Sequence, residues 1–171
     1  VALVTAAEDL RSAALSISGA DPDGPVTAKV ILRLNDDDPE LGDEGYRLTG
    51  GPDEVIVESK TVIGGMYGLY HITGDIGARY IHPEQSVFPV NGQVRLPAYG
   101  RATIHVPHYP LRGFHEHTQH PTVMSDYFLR PGDESFRNGV SNYIRWVARN
   151  RQNRMTFHML NTVDLDAWVP Y

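Results

Sequence analysis

The residues best suited to chemistry lie between His105 and His120, a stretch holding five of the chain's eight histidines. Its centre reads His115-Glu116-His117-Thr118-Gln119-His120. On a strand, His115 and His117 share one face and Glu116 takes the other. Two imidazoles on one face are good ligands for zinc or a similar ion, yet two do not complete a ligand set. The further ligand would come from elsewhere, with His158 on a neighbouring strand as the candidate. The same side chains suit hydrogen bonds to hydroxyl groups of a ligand at a barrel mouth, or structural bonds within a crossover loop. On the residues alone the three uses stay open, and no cofactor or metal is assigned.

The elements that must position these residues are legible on either side. Leu111–His115 reads as a strand. Asp133–Asn150 is the clearest helix in the chain, with Phe136, Val140, Tyr143, Ile144 and Val147 on one face. Pro131-Gly132-Asp133 supplies its stop and N-cap chemistry, and Arg149 and Arg151 suit its C-terminal end. Met155–Leu160 follows as a short apolar run, hence a buried strand. Strand, helix and strand in that order predict a β–α–β unit with parallel strands. A complete (β/α)8 barrel takes about 250 residues, so this stretch could supply only its beginning.

Upstream, Val1–Thr5 reads as a buried strand and Ala6–Ser18 as a helix stopped by Gly19. Ala28–Leu34 reads as a strand. Glu44–Thr49 and Glu54–Ser59 form a hairpin across Gly50-Gly51-Pro52-Asp53. Thr61–Ile76 is a second helix, with Ile63, Met66, Tyr67 and Tyr70 as its apolar stripe. Gly64 and Gly68 on that helix predict close backbone approach to a sheet. A phosphate cradle would need to open a helix directly after a strand in a βαβ unit, and that context is missing. Asn35-Asp36-Asp37-Asp38-Pro39 reads as a solvated loop, because the glycine and distal glutamate of a calcium loop are not in register. Pro83, Pro89 and Pro97 exclude a long helix from 79–106. Composition changes near Arg101–Pro110, so the domains are expected at 1–106 and 107–171.

Composition excludes several classes. A net charge of −6 argues against a nucleic-acid partner. No apolar run approaches the ~20 residues that span a bilayer. The absence of cysteine removes disulfides and thiolate ligands. A start at Val1 fits either a removed signal peptide or a start inside a longer protein. The unpaired strand edges of a lone β–α–β unit predict self-association into a homo-oligomer.

Several motifs, in order, resemble glycoside hydrolase family 20 and the α-glucuronidases. Glu44-Gly45-Tyr46-Arg47-Leu48, Val55-Ile56-Val57 and Gly65-Met66-Tyr67-Gly68-Leu69-Tyr70 resemble their accessory domain. Leu111-Arg112-Gly113-Phe114 resembles the first barrel strand of the β-N-acetylhexosaminidases, and Asn150–Asn161 their first-helix end and second strand. The resemblance implies an α/β fold class. An α+β accessory domain, a sheet with two helices packed on it, would precede the incomplete first β–α–β unit of a catalytic TIM barrel.

The resemblance also implies a front portion of a glycoside hydrolase acting on a terminal sugar, an N-acetylhexosamine or a uronic acid. The partner would be an oligo- or polysaccharide, in a secreted or periplasmic setting. Arg112 would bind sugar hydroxyls, for which a guanidinium fork is suited; the alternative is pairing with a barrel carboxylate. His158 matches a family histidine. Asn161 stands where the family carries an acid, and an amide can bond a hydroxyl but cannot act as a base. Asp164 takes over a polar role there or caps a short helix. Trp168 and Tyr171 stack on a sugar ring or serve packing. The family's adjacent Asp-Glu pair belongs to a later strand, so no catalytic residue is assigned and the stretch alone is expected to be inactive. Two other classes fit the residues. One is a metal-dependent amidohydrolase-type enzyme built on His115 and His117. The other is a non-catalytic carbohydrate-binding or interaction module.

Overall fold

The computed structural model describes residues 1–25, 28–90, 93–117, 127–128 and 134–158. Side chains 117, 135, 136, 157 and 158 lie outside that description. The chain divides into two compact units. The first comprises Val1–Arg79 and Ser86–His108; the second comprises Tyr80–Gln85 and Tyr109–Tyr171.

The first unit opens with helix α1, Ala2–Ser18, which includes the run expected as a strand. Ala6, Leu10, Ala13 and Ile17 are its buried residues, spaced four, three and four apart. That helical period extends the helix back through the apolar start of the chain, helped by five alanines of high helix propensity. Gly19 ends it in the left-handed conformation (φ 64°), its N–H bonded to the Leu15 carbonyl.

Four strands follow: β1 (Lys29–Leu34), β2 (Tyr46–Gly50), β3 (Glu54–Ser59) and, after helix α2 (Val62–Asp75), β6 (Gly100–His105). They form a mixed sheet in the order β1-β3-β2-β6. β1 runs parallel to β3, while β2 is antiparallel to both β3 and β6. Tyr46, Leu48, Val55, Val57 and Ser59 are the buried positions of β2 and β3, alternating as a half-buried sheet requires. The Thr61 side chain caps α2 by accepting from the N–H groups of Ile63 and Gly64.

Gly64 and Gly68 serve the expected close approach. A Cβ at Gly64 would overlap the Gly45 carbonyl oxygen, and one at Gly68 would overlap the Val57 side chain. The sheet-facing surface of α2 is therefore lined by glycine, and Ile63, expected in its apolar stripe, is 46% exposed. α1 packs along α2, and the Tyr70 hydroxyl donates to Asp9 at 3.0 Å.

In the 35–39 loop Asp36, Asp37 and Pro39 are exposed as expected, while Asp38 is drawn into a group of ion pairs. Asp38 lies 2.7 Å from the Arg47 guanidinium, which also reaches Glu58 and Glu40 at 3.1 Å. The Glu40 backbone N–H and the Arg47 side chain hold the Asp38 carboxyl below its ordinary range. Asn35 and Arg47 do the same for Glu58.

Strands β4 (Arg79–His82) and β5 (Gln85–Val87) pair as a hairpin. The second unit carries β7 (Gly113–His117), helix α3 (Glu134–Arg149) and β8 (Arg154–His158). β7 and β8 are parallel, with Gly113 opposite Arg154 and His117 opposite His158. This is the expected β–α–β unit. Its core is Tyr127, Phe128, Tyr143 and Trp146, with Tyr80, Phe114, Val140 and Val147 packed against it. Ile144, expected on the buried face of α3, is 58% exposed; Trp146 takes the interior position instead.

Candidate functional site

The parallel pair β7/β8 sets the frame for the residues singled out in the sequence. Open α/β and barrel architectures place ligands at the carboxyl ends of their strands. Here those ends are His117 and His158, which face each other in the strand register. His115 lies two residues back, opposite Thr156, and is exposed.

The other face of β7 packs on α3. Phe114 stacks on Trp146 with ring centroids 4.4 Å apart. Glu116 is 7% exposed and accepts a hydrogen bond of 2.7 Å from the Tyr143 hydroxyl. Burial and that carboxylate push the Tyr143 phenol well above its ordinary range. The alternation between His115 and Glu116 thus follows the sequence pattern, but Glu116 carries a buried role that the pattern did not assign. Asn161, Asp164, Trp168 and Tyr171 lie outside the described residues, as does His120.

Arg112 precedes β7, at the amino end of the strand, about 16 Å of extended chain from His117. Its Nε donates to the Arg151 carbonyl at 3.1 Å and its Nη1 to the Tyr109 carbonyl at 2.7 Å. Its backbone N–H donates to Asn153 Oδ1, and its carbonyl accepts from the N–H groups of Asn153 and Arg154, all at 2.9 Å. Arg151 sits in the left-handed region at φ 56°, uncommon for a side chain of its size. Arg112 therefore clamps the α3–β8 turn to the start of β7. Two of its guanidinium donors, Nε and Nη1, are engaged with backbone carbonyls at this end of the strand.

Gly113 explains why the arginine is followed by glycine. A Cβ there would overlap the Arg154 backbone carbonyl across the strand pair. Further anchoring comes from the 80–85 segment. Trp146 Nε1 donates to the Tyr80 carbonyl at 2.8 Å, Arg149 lies 4.4 Å over the Tyr80 ring, and the Tyr127 hydroxyl donates to Glu84. Burial and Glu84 push the Tyr127 phenol up to about 12.

A second group of titratable residues, not foreseen in the sequence, lies within the first unit. The Tyr46 hydroxyl and His71 Nδ1 are 2.8 Å apart, and His71 Nε2 lies 3.3 Å from Asp75. Asp75 also accepts from the Tyr99 hydroxyl at 2.8 Å. His105 stacks on Tyr46 and meets the His71 ring edge-on at 4.4 Å between centroids. Burial and Asp75 push the Tyr99 phenol far up. His105 was grouped by sequence with His115 and His117; the structure puts it in the first unit, on the last strand of the four-stranded sheet. The i,i+4 spacing of His71 and Asp75 on a helix was the available signal.

Among the described residues, no group of three or more His, Asp or Glu is placed to hold a metal ion. None of the described helices is long and apolar enough to cross a membrane.

No protein-family profile and no curated protein matches the chain. Among solved structures it is similar to a mutant β-hexosaminidase from Streptomyces plicatus in complex with its product, GlcNAc. The match has a TM-score of 0.56 at 21% identity, covering 90% of this chain and 27% of that one. The likeness supports a shared fold: a mixed α/β arrangement resembling part of that enzyme. The chain spans about a quarter of the length of the enzyme it resembles.

Proposed function

We propose that this chain is the front portion of a glycoside hydrolase. Residues 1–106 serve as a non-catalytic accessory domain, and residues 107–171 begin a (β/α)8 catalytic domain acting on a terminal sugar of a glycan. The observation that carries the reading is a four-stranded sheet followed in sequence by the parallel β7–α3–β8 unit, in a chain whose fold is similar to that of a β-hexosaminidase over 90% of its length. An N-acetylhexosamine is the favoured sugar, since that neighbour holds GlcNAc as its product. A glycan-degrading role would suit a secreted or periplasmic setting.

On this reading the stretch contributes a sugar-contacting edge and not the reacting groups. Hydrolysis needs a protonated carboxyl on the glycosidic oxygen and a stabiliser for the developing cation. Glu116, the buried carboxylate of β7, faces α3 and bonds Tyr143, so it is turned away from the strand face that His115 occupies. The proposed contacts are His115, His117 and His158 at the carboxyl ends of the strands, with Asn161, Asp164 and Trp168 following β8. Arg112 is reassigned to the clamp at the opposite end.

The test is the coding sequence that adjoins this stretch, followed by assay of its full product on chromogenic N-acetylhexosaminides and uronides. The expected result is further strand–helix repeats, one strand bearing an acidic pair, and release of the chromophore. A reading frame that supplies no carboxylate-bearing strands would end the proposal.

A further inference from the structure

We propose that Glu116 is a positioning residue whose bond to Tyr143 fixes which face of β7 presents His115. The inference deepens the reading of the β7/β8 carboxyl ends as a sugar-facing edge and rests on it for its functional meaning.

Side chains on a strand alternate, so a shift of one residue would exchange the faces and turn His115 inward. A hairpin turn would fix register, but β7 and β8 are parallel and joined through α3. Register must therefore come from contacts along the strand itself. At the amino end, Gly113 does this by steric exclusion, since only glycine fits against the Arg154 carbonyl. At the carboxyl end the polar pin is Glu116 on Tyr143, at 2.7 Å, with Glu116 7% and Tyr143 0% exposed.

Phe114 on Trp146 adds burial but discriminates less, because apolar contacts accept any side chain of about the right size. A hydroxyl and a carboxylate buried together are satisfied only when they meet. Every other register leaves both without their bond. A carboxylate is a costly choice at a position that an apolar residue could fill, and a specific register is what it supplies in return.

The experiment uses the 171-residue chain with its histidine imidazoles labelled for two-dimensional NMR. Wild type is expected to give one set of His115 signals. The double variant Glu116→Leu/Tyr143→Phe, which replaces the polar pair by apolar groups, is expected to remain folded by circular dichroism while His115 splits into two sets. Tyr143→Phe alone is the milder arm and is expected to show the same splitting. Glu116→Gln, which keeps an acceptor for the hydroxyl, is expected to retain a single wild-type-like set.

A single unchanged His115 set in the folded double variant overturns the proposal. If that variant does not fold, a single unchanged set in Tyr143→Phe overturns it instead. GlcNAc titration of wild type is read separately. Splitting without sugar binding would sink the sugar reading and leave the positioning role standing. Sugar binding without splitting would do the reverse.

Discussion

The two units of the chain handle their histidines in opposite ways. In the first, His71 bridges Tyr46 and Asp75, and His105 stacks against the same tyrosine, so the imidazoles are tied into the fold. In the second, the strand turns Glu116 inward to Tyr143 and leaves His115 exposed beside the strand end. The lesson is that the strand's alternation decides which polar group becomes structural. The first arrangement holds a sheet and a helix together. The second holds β7 against α3 through Glu116 and Tyr143.

The largest way to break this comparison is to remove the platform under β7. Trp146→Ala deletes the ring that stacks on Phe114 and bonds the Tyr80 carbonyl. A loss of about 3–5 kcal/mol is expected, as for truncation of a large buried aromatic. It should fall on the second unit alone, giving a two-step melt by circular dichroism in which the first unit keeps its wild-type midpoint. A single shared transition shifted as a whole would show that the units do not unfold separately.

Gly68→Val tests the converse in the first unit. The added side chain would meet Val57 where even a Cβ does not fit, and about 1–3 kcal/mol of overpacking is expected. The two tryptophans, Trp146 and Trp168, both lie after residue 109, so tryptophan fluorescence should be unchanged at temperatures where the first unit has melted. Arg112→Ala sharpens the reassignment of that arginine. It releases the Arg151 and Tyr109 carbonyls and should lower the second unit's stability by about 1 kcal/mol. Sugar affinity should stay at its wild-type value; a loss of affinity with stability intact would restore the sugar-contact role.

The smallest expected effects are in pH dependence, and they separate the units by sign. Asp38 and Glu58 are held low in the folded first unit. Their contribution is present above the unfolded carboxylate range near ~4 and is lost as pH falls through the lower folded values. Arg47→Gln should therefore weaken the first unit at neutral pH and move its acid unfolding to higher pH. In the second unit Tyr127 is pushed up to about 12. Its contribution is present below about 10, the unfolded value, and is lost as pH rises toward the folded one. Tyr127→Phe should flatten the alkaline arm of that unit's melting curve and leave the acid arm unchanged.

Much of the fold was legible because its signals are local. Gly19 stops α1, Thr61 caps α2, and Gly50-Gly51 turns the β2–β3 hairpin. The β–α–β unit followed from an amphipathic helix between two short apolar runs. What was not legible depends on contacts between distant segments. Val1–Thr5 looks like a strand until the buried spacing of Ala6, Leu10 and Ala13 carries the helix through it. Asp38 looks solvated until Arg47, on another strand, reaches it. His105 is close to His115 in sequence, yet its neighbours are Tyr46 and His71. Arg112 carries a motif's arginine, but its bonds are set by the turn after α3, which no local pattern announces.

On the proposed function, the carboxyl ends of β7 and β8, and not the histidine cluster of the first unit, face a sugar. Titration of the isotope-labelled chain with GlcNAc, followed by NMR at every histidine, tests it most directly. Saturable shifts are expected at His115, His117 and His158, with His71 and His105 unmoved. Saturable shifts confined to His71 and His105, or no saturable shift at any histidine, would contradict it.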